Sequence, residues 1–125
     1  MHAVDSIEAS VDDSVLLLCG NNLLVATSFD GHFDYINKIM FDDNVTRVKR
    51  LSFSDVYLVG GWACLYFVQF SPNSMTKLSS MPNIVAGMIQ WIEVDRNNIY
   101  LFDESGTEAR QISYKSDIDS YKSTL

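Results

Sequence analysis

The sequence predicts an all-β fold built from about three repeated antiparallel units. Short runs rich in β-branched and aromatic residues are bounded by Gly, Asn, Asp and Pro, as strands joined by tight turns are. Helical periodicity is nearly absent, and turn signals recur every eight to twelve residues or so. An apolar strand that closes on a glycine or polar turn returns at a spacing of about 41 to 43 residues, within the range of repeat architectures.

After an acidic leader, Ser14 to Asn22 reads as an apolar strand closed by a Gly20-Asn21-Asn22 turn. Leu23 to Ser28 is a second strand, followed by a Phe29-Asp30-Gly31 turn and a segment from Phe33 to Phe41. Asp42-Asp43-Asn44 interrupts the apolar pattern, and Val45 to Phe53 forms the next strand. The central stretch, Val56 to Pro82, carries a strand ending in Gly60-Gly61, a strand through Leu65 to Phe70, a Pro72-Asn73 turn and a further strand beyond it. Glycine supplies backbone freedom where a chain turns or another backbone comes close, and Pro-Asn presets a tight bend. Val85 to Val94, Asn98 to Phe102 and Arg110 to Tyr114 read as the last strands. Residues 1–114 then form the repeat domain, and Lys115 to Leu125 is a polar tail without apolar pattern.

The repeat shows when Leu17-Leu18-Cys19-Gly20 is placed over Leu58-Val59-Gly60-Gly61, with a third copy at Asn98 to Phe102. The first unit lacks part of its opening strand and the third its closing one. Runs such as Val15-Leu16-Leu17-Leu18 are apolar on both faces, as strands packed between two sheets are.

The Tyr57-Leu58-Val59-Gly60-Gly61 strand, the spaced Tyr66, the Phe70-Ser71-Pro72-Asn73 turn and Leu78 ahead of Met81-Pro82 together resemble a degenerate kelch repeat, one blade of a β-propeller. In that family a tryptophan precedes the Met-Pro, whereas Met75 or Thr76 stands there in this chain. The repeat length is closer to that of WD40 blades, although no Gly-His or Trp-Asp signature is present. Either resemblance implies a partial propeller of about three four-stranded blades, fewer than the four to eight that close a ring. Open sheet edges invite pairing with other chains. The chain is therefore expected to be a fragment, or a subunit completed in trans or by self-association. A small closed β-barrel or sandwich holding an apolar ligand is the alternative fold.

A net charge of −7 argues against nucleic acid as a partner, since phosphate binding needs a basic surface. The apolar runs are too short to cross a bilayer as helices, and the first residues lack the apolar core of a secretory leader, so no membrane association and a cytoplasmic location are expected. Cys19 and Cys64 form neither a metal cluster nor a disulfide framework.

Asp30, His32 and Asp34 are the nearest approach to a metal site, but Asp30-Gly31 is a hairpin turn by composition, and no metal or cofactor is expected. Asp12-Asp13 and Asp42-Asp43-Asn44 suit turns better than an acid and base pair. With no nucleophile elbow or phosphate loop, an enzyme is not expected.

Trp62, Tyr66, Trp91 and Tyr100 lie on or beside strands, and aromatic residues anchor interfaces. Trp62, after the glycine pair, is the best candidate anchor. Arg47, Lys49 and Arg50 are the one basic cluster of an acidic chain and are suited to an acidic partner segment. Resemblance to kelch propellers implies a protein-interaction scaffold that presents its inter-strand loops. The partner-binding candidates are Trp62, Gly60, Gly61, Asn21, Asn22, Arg47, Lys49 and Arg50.

Overall fold

Local alternation in the chain resolves into three separate antiparallel meanders, each following the last in sequence. The computed structural model describes residues 4–10, 13–28, 35–51, 55–71, 74–95, 98–104 and 109–113. The first sheet holds β1 (Ser6–Ala9), β2 (Val15–Gly20), β3 (Leu23–Ser28) and β4 (Tyr35–Met40) in that order. The second holds β5 (Val45–Arg50), β6 (Val56–Gly61), β7 (Leu65–Ser71) and β8 (Ser74–Met81), and the third β9 (Ile89–Val94), β10 (Asn98–Asp103) and β11 (Ala109–Ser113). The described residues contain no helix. The turn at Asp30-Gly31 with His32 and Asp34, the Pro72-Asn73 turn and the Lys115 to Leu125 tail lie outside the described residues.

The sheets stack face to face as propeller blades do. The face of the first sheet bearing Leu17, Cys19, Leu24, Ala26 and Phe41 buries against Val45, Val48, Tyr57, Val59 and Val68 of the second. The second sheet turns its other face, with Leu58, Leu65 and Phe67, onto Ile89, Ile92, Ile99, Leu101 and Ile112 of the third. Each first strand lies beside the next, β1 against β5 and β5 against β9, so these three gather on one side of the fold. Polar bonds seal the first joint: Ser6 Oγ accepts the Val48 N–H at 3.2 Å, and the Tyr57 hydroxyl donates to the Ala9 carbonyl at 3.3 Å. Three separate stacked sheets exclude a single closed barrel.

The aligned segments Leu17–Gly20, Leu58–Gly61 and Asn98–Phe102 all lie in the second strand of their sheets, β2, β6 and β10. Two departures from the expected boundaries bear on the packing. The opening strand of the first unit is Ser6–Ala9, inside the acidic leader, and it is short at four residues. Its residues alternate too weakly to reveal it, and pairing with β2 creates it. The expected strand from Val85 begins only at Ile89, because Ile84 N–H donates to the Ala63 carbonyl and the Gly87 carbonyl accepts from Ala63 N–H, holding the linker as a loop.

Gly60 and Gly61 lie buried within β6 rather than in a loop. A Cβ on Gly60 would stand 2.7 Å from Ile89 Cγ2, and one on Gly61 would stand 2.9 Å from the Asn44 carbonyl oxygen. The pair serves the close approach of neighbouring elements. That approach takes Gly60 and Gly61 off the surface as partner-binding residues.

Candidate groove along the first strands

The three first strands bring together residues that are far apart in sequence. Asp5, Ser6, Ile7 and Glu8 from β1 and its lead, Arg47, Val48 and Lys49 from β5, and Trp91 and Ile92 from β9 line an open groove of about 270 Å³. Strand alternation explains which side chains reach it. Val48 is buried under the first sheet, so Arg47 and Lys49, its neighbours in β5, point the other way.

Arg47 is the hub. Its Nη1 donates to the Asp5 carbonyl at 3.0 Å and to the Thr46 carbonyl at 2.8 Å, and its guanidinium carbon lies 5.6 Å from the centre of the Trp91 ring. Such a cation over an aromatic face adds about 0.5–1 kcal/mol at an exposed site. The Arg47 Nε is buried with no hydrogen-bond partner among the described residues. Trp91 is 51% exposed, and its Nε1–H donates to the Glu93 carboxylate. Beside it, Glu8 Oε2 lies 3.9 Å from Lys49 Nζ and also accepts the Arg50 N–H at 2.9 Å. The groove therefore presents an indole face, a cation pair and two carboxylates in one row. That combination has the chemistry to hold an extended segment of mixed charge with an apolar anchor.

The remaining candidates divide. Trp62 is 51% exposed in the β6–β7 connection, where it forms an isolated bridge with Met88, and it does not line the groove. Asn21 turns the chain at φ 53°, and the Asn21 and Asn22 carbonyls accept the Val45 and Phe41 N–H groups, which fastens the crossing to the second sheet. Arg50 is half-buried at the end of β5, outside the groove lining, with its backbone tied to Glu8.

Sequence reasoning missed Asp5 and Glu8, which sit in a stretch with no apolar signal, and did not separate Trp91 from the core aromatics. Burial pushes the Cys19 thiol up to about 12, with the nearby Asp5 charge adding to the effect. Burial also raises Cys64 and lifts the Tyr66 phenol beside it to about 12. The two cysteines are unpaired.

No protein-family model matches the sequence, and no curated protein matches it. Among solved structures, a chain in the crystal structure of a mitotic checkpoint complex superposes with a TM-score of 0.76 at 12% identity, over 89% of this chain and 36% of that one. The fold is a partial β-propeller. This chain spans little more than a third of that neighbour's length and supplies three blades. Their first strands lie side by side, β1 beside β5 and β5 beside β9.

Proposed function

We propose that this chain is a non-enzymatic protein-interaction scaffold that holds an extended peptide segment along its first strands. One observation carries the reading: Trp91 is half exposed in a groove where Arg47 stacks on it and Lys49 and Glu8 stand alongside. Tryptophan and arginine dominate binding hot spots because each buries a large surface at modest ordering cost. Propellers of both the kelch and the WD40 kind offer such surfaces, and the Gly60-Gly61, Tyr66 and Met81-Pro82 pattern supports kelch ancestry on a WD40-like repeat length. The occurrence of the structural neighbour in a protein complex is consistent with this role. A cytoplasmic setting is supported by the unpaired Cys19 and Cys64, since reducing compartments keep thiols free.

The test is selection of a random-peptide library on the folded chain, followed by affinity measurement of the enriched peptides on Trp91→Ala and on Trp62→Ala. Loss of at least about tenfold on Trp91→Ala alone, the scale of a hot-spot truncation, supports the groove. Enriched peptides that bind Trp91→Ala as tightly as the wild type refute it.

A further inference from the structure

The hairpin between β6 and β7 presents a tryptophan that belongs to neither core cluster. Trp62 is 51% exposed, although its blade has a sheet stacked on each side. The backbone around it is held from two directions. Gly61 N–H donates to the Cys64 carbonyl at 2.9 Å and closes the turn. Ala63 N–H donates to the Gly87 carbonyl and Ile84 N–H to the Ala63 carbonyl, both at 2.8 Å, and Trp62 itself bridges Met88. Ala63 stands at φ 56°, a left-handed conformation uncommon for a residue with a Cβ. Such strain persists where the surrounding bonds over-determine it, and here it belongs to the turn that holds the indole out.

Carboxylates flank this hairpin on both sides. Toward the first blade, the Asn44 carbonyl oxygen lies 2.9 Å from where a Cβ on Gly61 would stand, which sets the Asp42-Asp43-Asn44 link against the base of the turn. Burial is the main cause of the raised Cys64 thiol and Tyr66 phenol just beyond the turn, and the Asp43 charge adds to both. Toward the third blade, Glu104 Oε1 lies 3.0 Å from where a Cβ on Gly87 would stand, and Gly87 is the residue bonded to Ala63. Asp42, Asp43 and Glu104 are all exposed. The described connections at this end, residues 20–22, 41–44, 61–64, 82–88 and 103–104, contain no lysine, arginine or histidine. Lys77 approaches from β8, but its Nζ donates to the Met40 carbonyl at 3.2 Å and lies 5.2 Å from the centre of the Phe41 ring. The carboxylates stand on opposite sides of the hairpin, and no cluster suited to a metal ion occurs among the described residues.

We infer that this loop face docks an arginine-bearing cationic segment of a protein partner, with a guanidinium on the Trp62 indole and the Asp43 and Glu104 carboxylates to either side. Charge complementarity selects the occupant, because an indole face attracts a cation and the flanking carboxylates add to the attraction. Arginine suits the surface better than lysine, since its planar guanidinium stacks on an aromatic ring and pairs with carboxylates as a fork. The net charge of −7 steers a cationic partner at longer range. A turn already held in place also loses little freedom on binding. Trp62, Asp43 and Glu104 do not line the groove of Arg47 and Trp91, so the inference stands apart from the peptide reading of that groove.

The chain has two tryptophans, so the two indole N–H signals of an NMR correlation spectrum report on the hairpin and on the groove at once. Trp62→Phe assigns them. The probe is a capped tetra-arginine peptide, with capped tetra-citrulline as its uncharged isostere. The expected result is a saturable shift of the Trp62 signal with tetra-arginine and none with tetra-citrulline. By calorimetry, Asp43→Asn and Glu104→Gln each weaken tetra-arginine binding by about two- to fivefold, the scale of an exposed ion pair. Trp62→Ala weakens it by about tenfold or more, as truncation of a hot spot does. A Trp62 signal that tetra-arginine leaves unmoved overturns the inference, as does a shift confined to Trp91. So does binding that Trp62→Ala leaves intact, which means general attraction to an acidic chain, or equal binding of tetra-citrulline, which means apolar contact alone. The wild-type titration decides the matter even where a variant does not fold.

Discussion

A single methyl group on Gly60 measures how tightly the second and third blades are pressed together. The added Cβ lands 2.7 Å from Ile89 Cγ2, 3.0 Å from Ile89 Cβ and 3.4 Å from Ile92 Cδ1. Ile89 is fully buried and branched at Cβ, and its carbonyl accepts the Thr46 hydroxyl, so neither its side chain nor its strand has room to retreat. Overpacking of a filled core costs about 1–3 kcal/mol. Gly60 has an ordinary strand φ, so alanine fits the backbone and gains about 0.4–1 kcal/mol by restricting the unfolded chain. The two effects oppose, and the clash wins by about 1–2 kcal/mol, a fall in Tm of about 4–8 °C at roughly 4 °C per kcal/mol. Urea melts of Gly60→Ala against the wild type give the sign directly. Ile89→Ala removes Cγ2, so the double variant is less destabilised than the sum of the singles, by a coupling of about 0.5–3 kcal/mol. A Gly60→Ala protein as stable as the wild type, or more so, refutes the account of Gly60 as the seat of the blade contact.

Two further predictions concern charge and protonation. Cys19 and Tyr66 keep their protons in the folded chain up to about 12, whereas the unfolded chain releases them near 9 and 10, so it binds fewer protons above about pH 9. Stability is therefore level in these two groups below pH 9 and falls as pH rises toward 12; equilibrium melts across that window check it, and a flat profile counts against the burial of both. At the groove, Lys49→Ala costs under about 1 kcal/mol because its ion pair with Glu8 is long and exposed. Glu8→Ala costs more, about 1–2 kcal/mol, because it also strands the partly buried Arg50 N–H, and melts of the two variants side by side should keep that order.

What was legible in the sequence is what strand alternation and turn chemistry encode locally. The second strands announced themselves because each has an apolar run through its middle and ends in a residue suited to a turn or to close approach, Gly20-Asn21 and Gly60-Gly61 being the clearest. The use of those glycines was not legible. A glycine pair reads equally as a loop or as a close contact, and only the position of Ile89 and of the Asn44 carbonyl decides for contact.

The sequence by itself determined the all-β class and the double-faced strands, because these follow from the period of two and from residues that fix φ. Only the tertiary structure decided that Ser6–Ala9 is a strand, that Arg47 and Lys49 meet Glu8 and Trp91, and that Trp91 faces outward while Ile92 beside it is buried. The physical reason is the range of the interactions involved. Alternation and turns are settled among neighbours in the chain, whereas β1 exists by pairing with β2, and the groove exists because three strands some forty residues apart are stacked by their sheets.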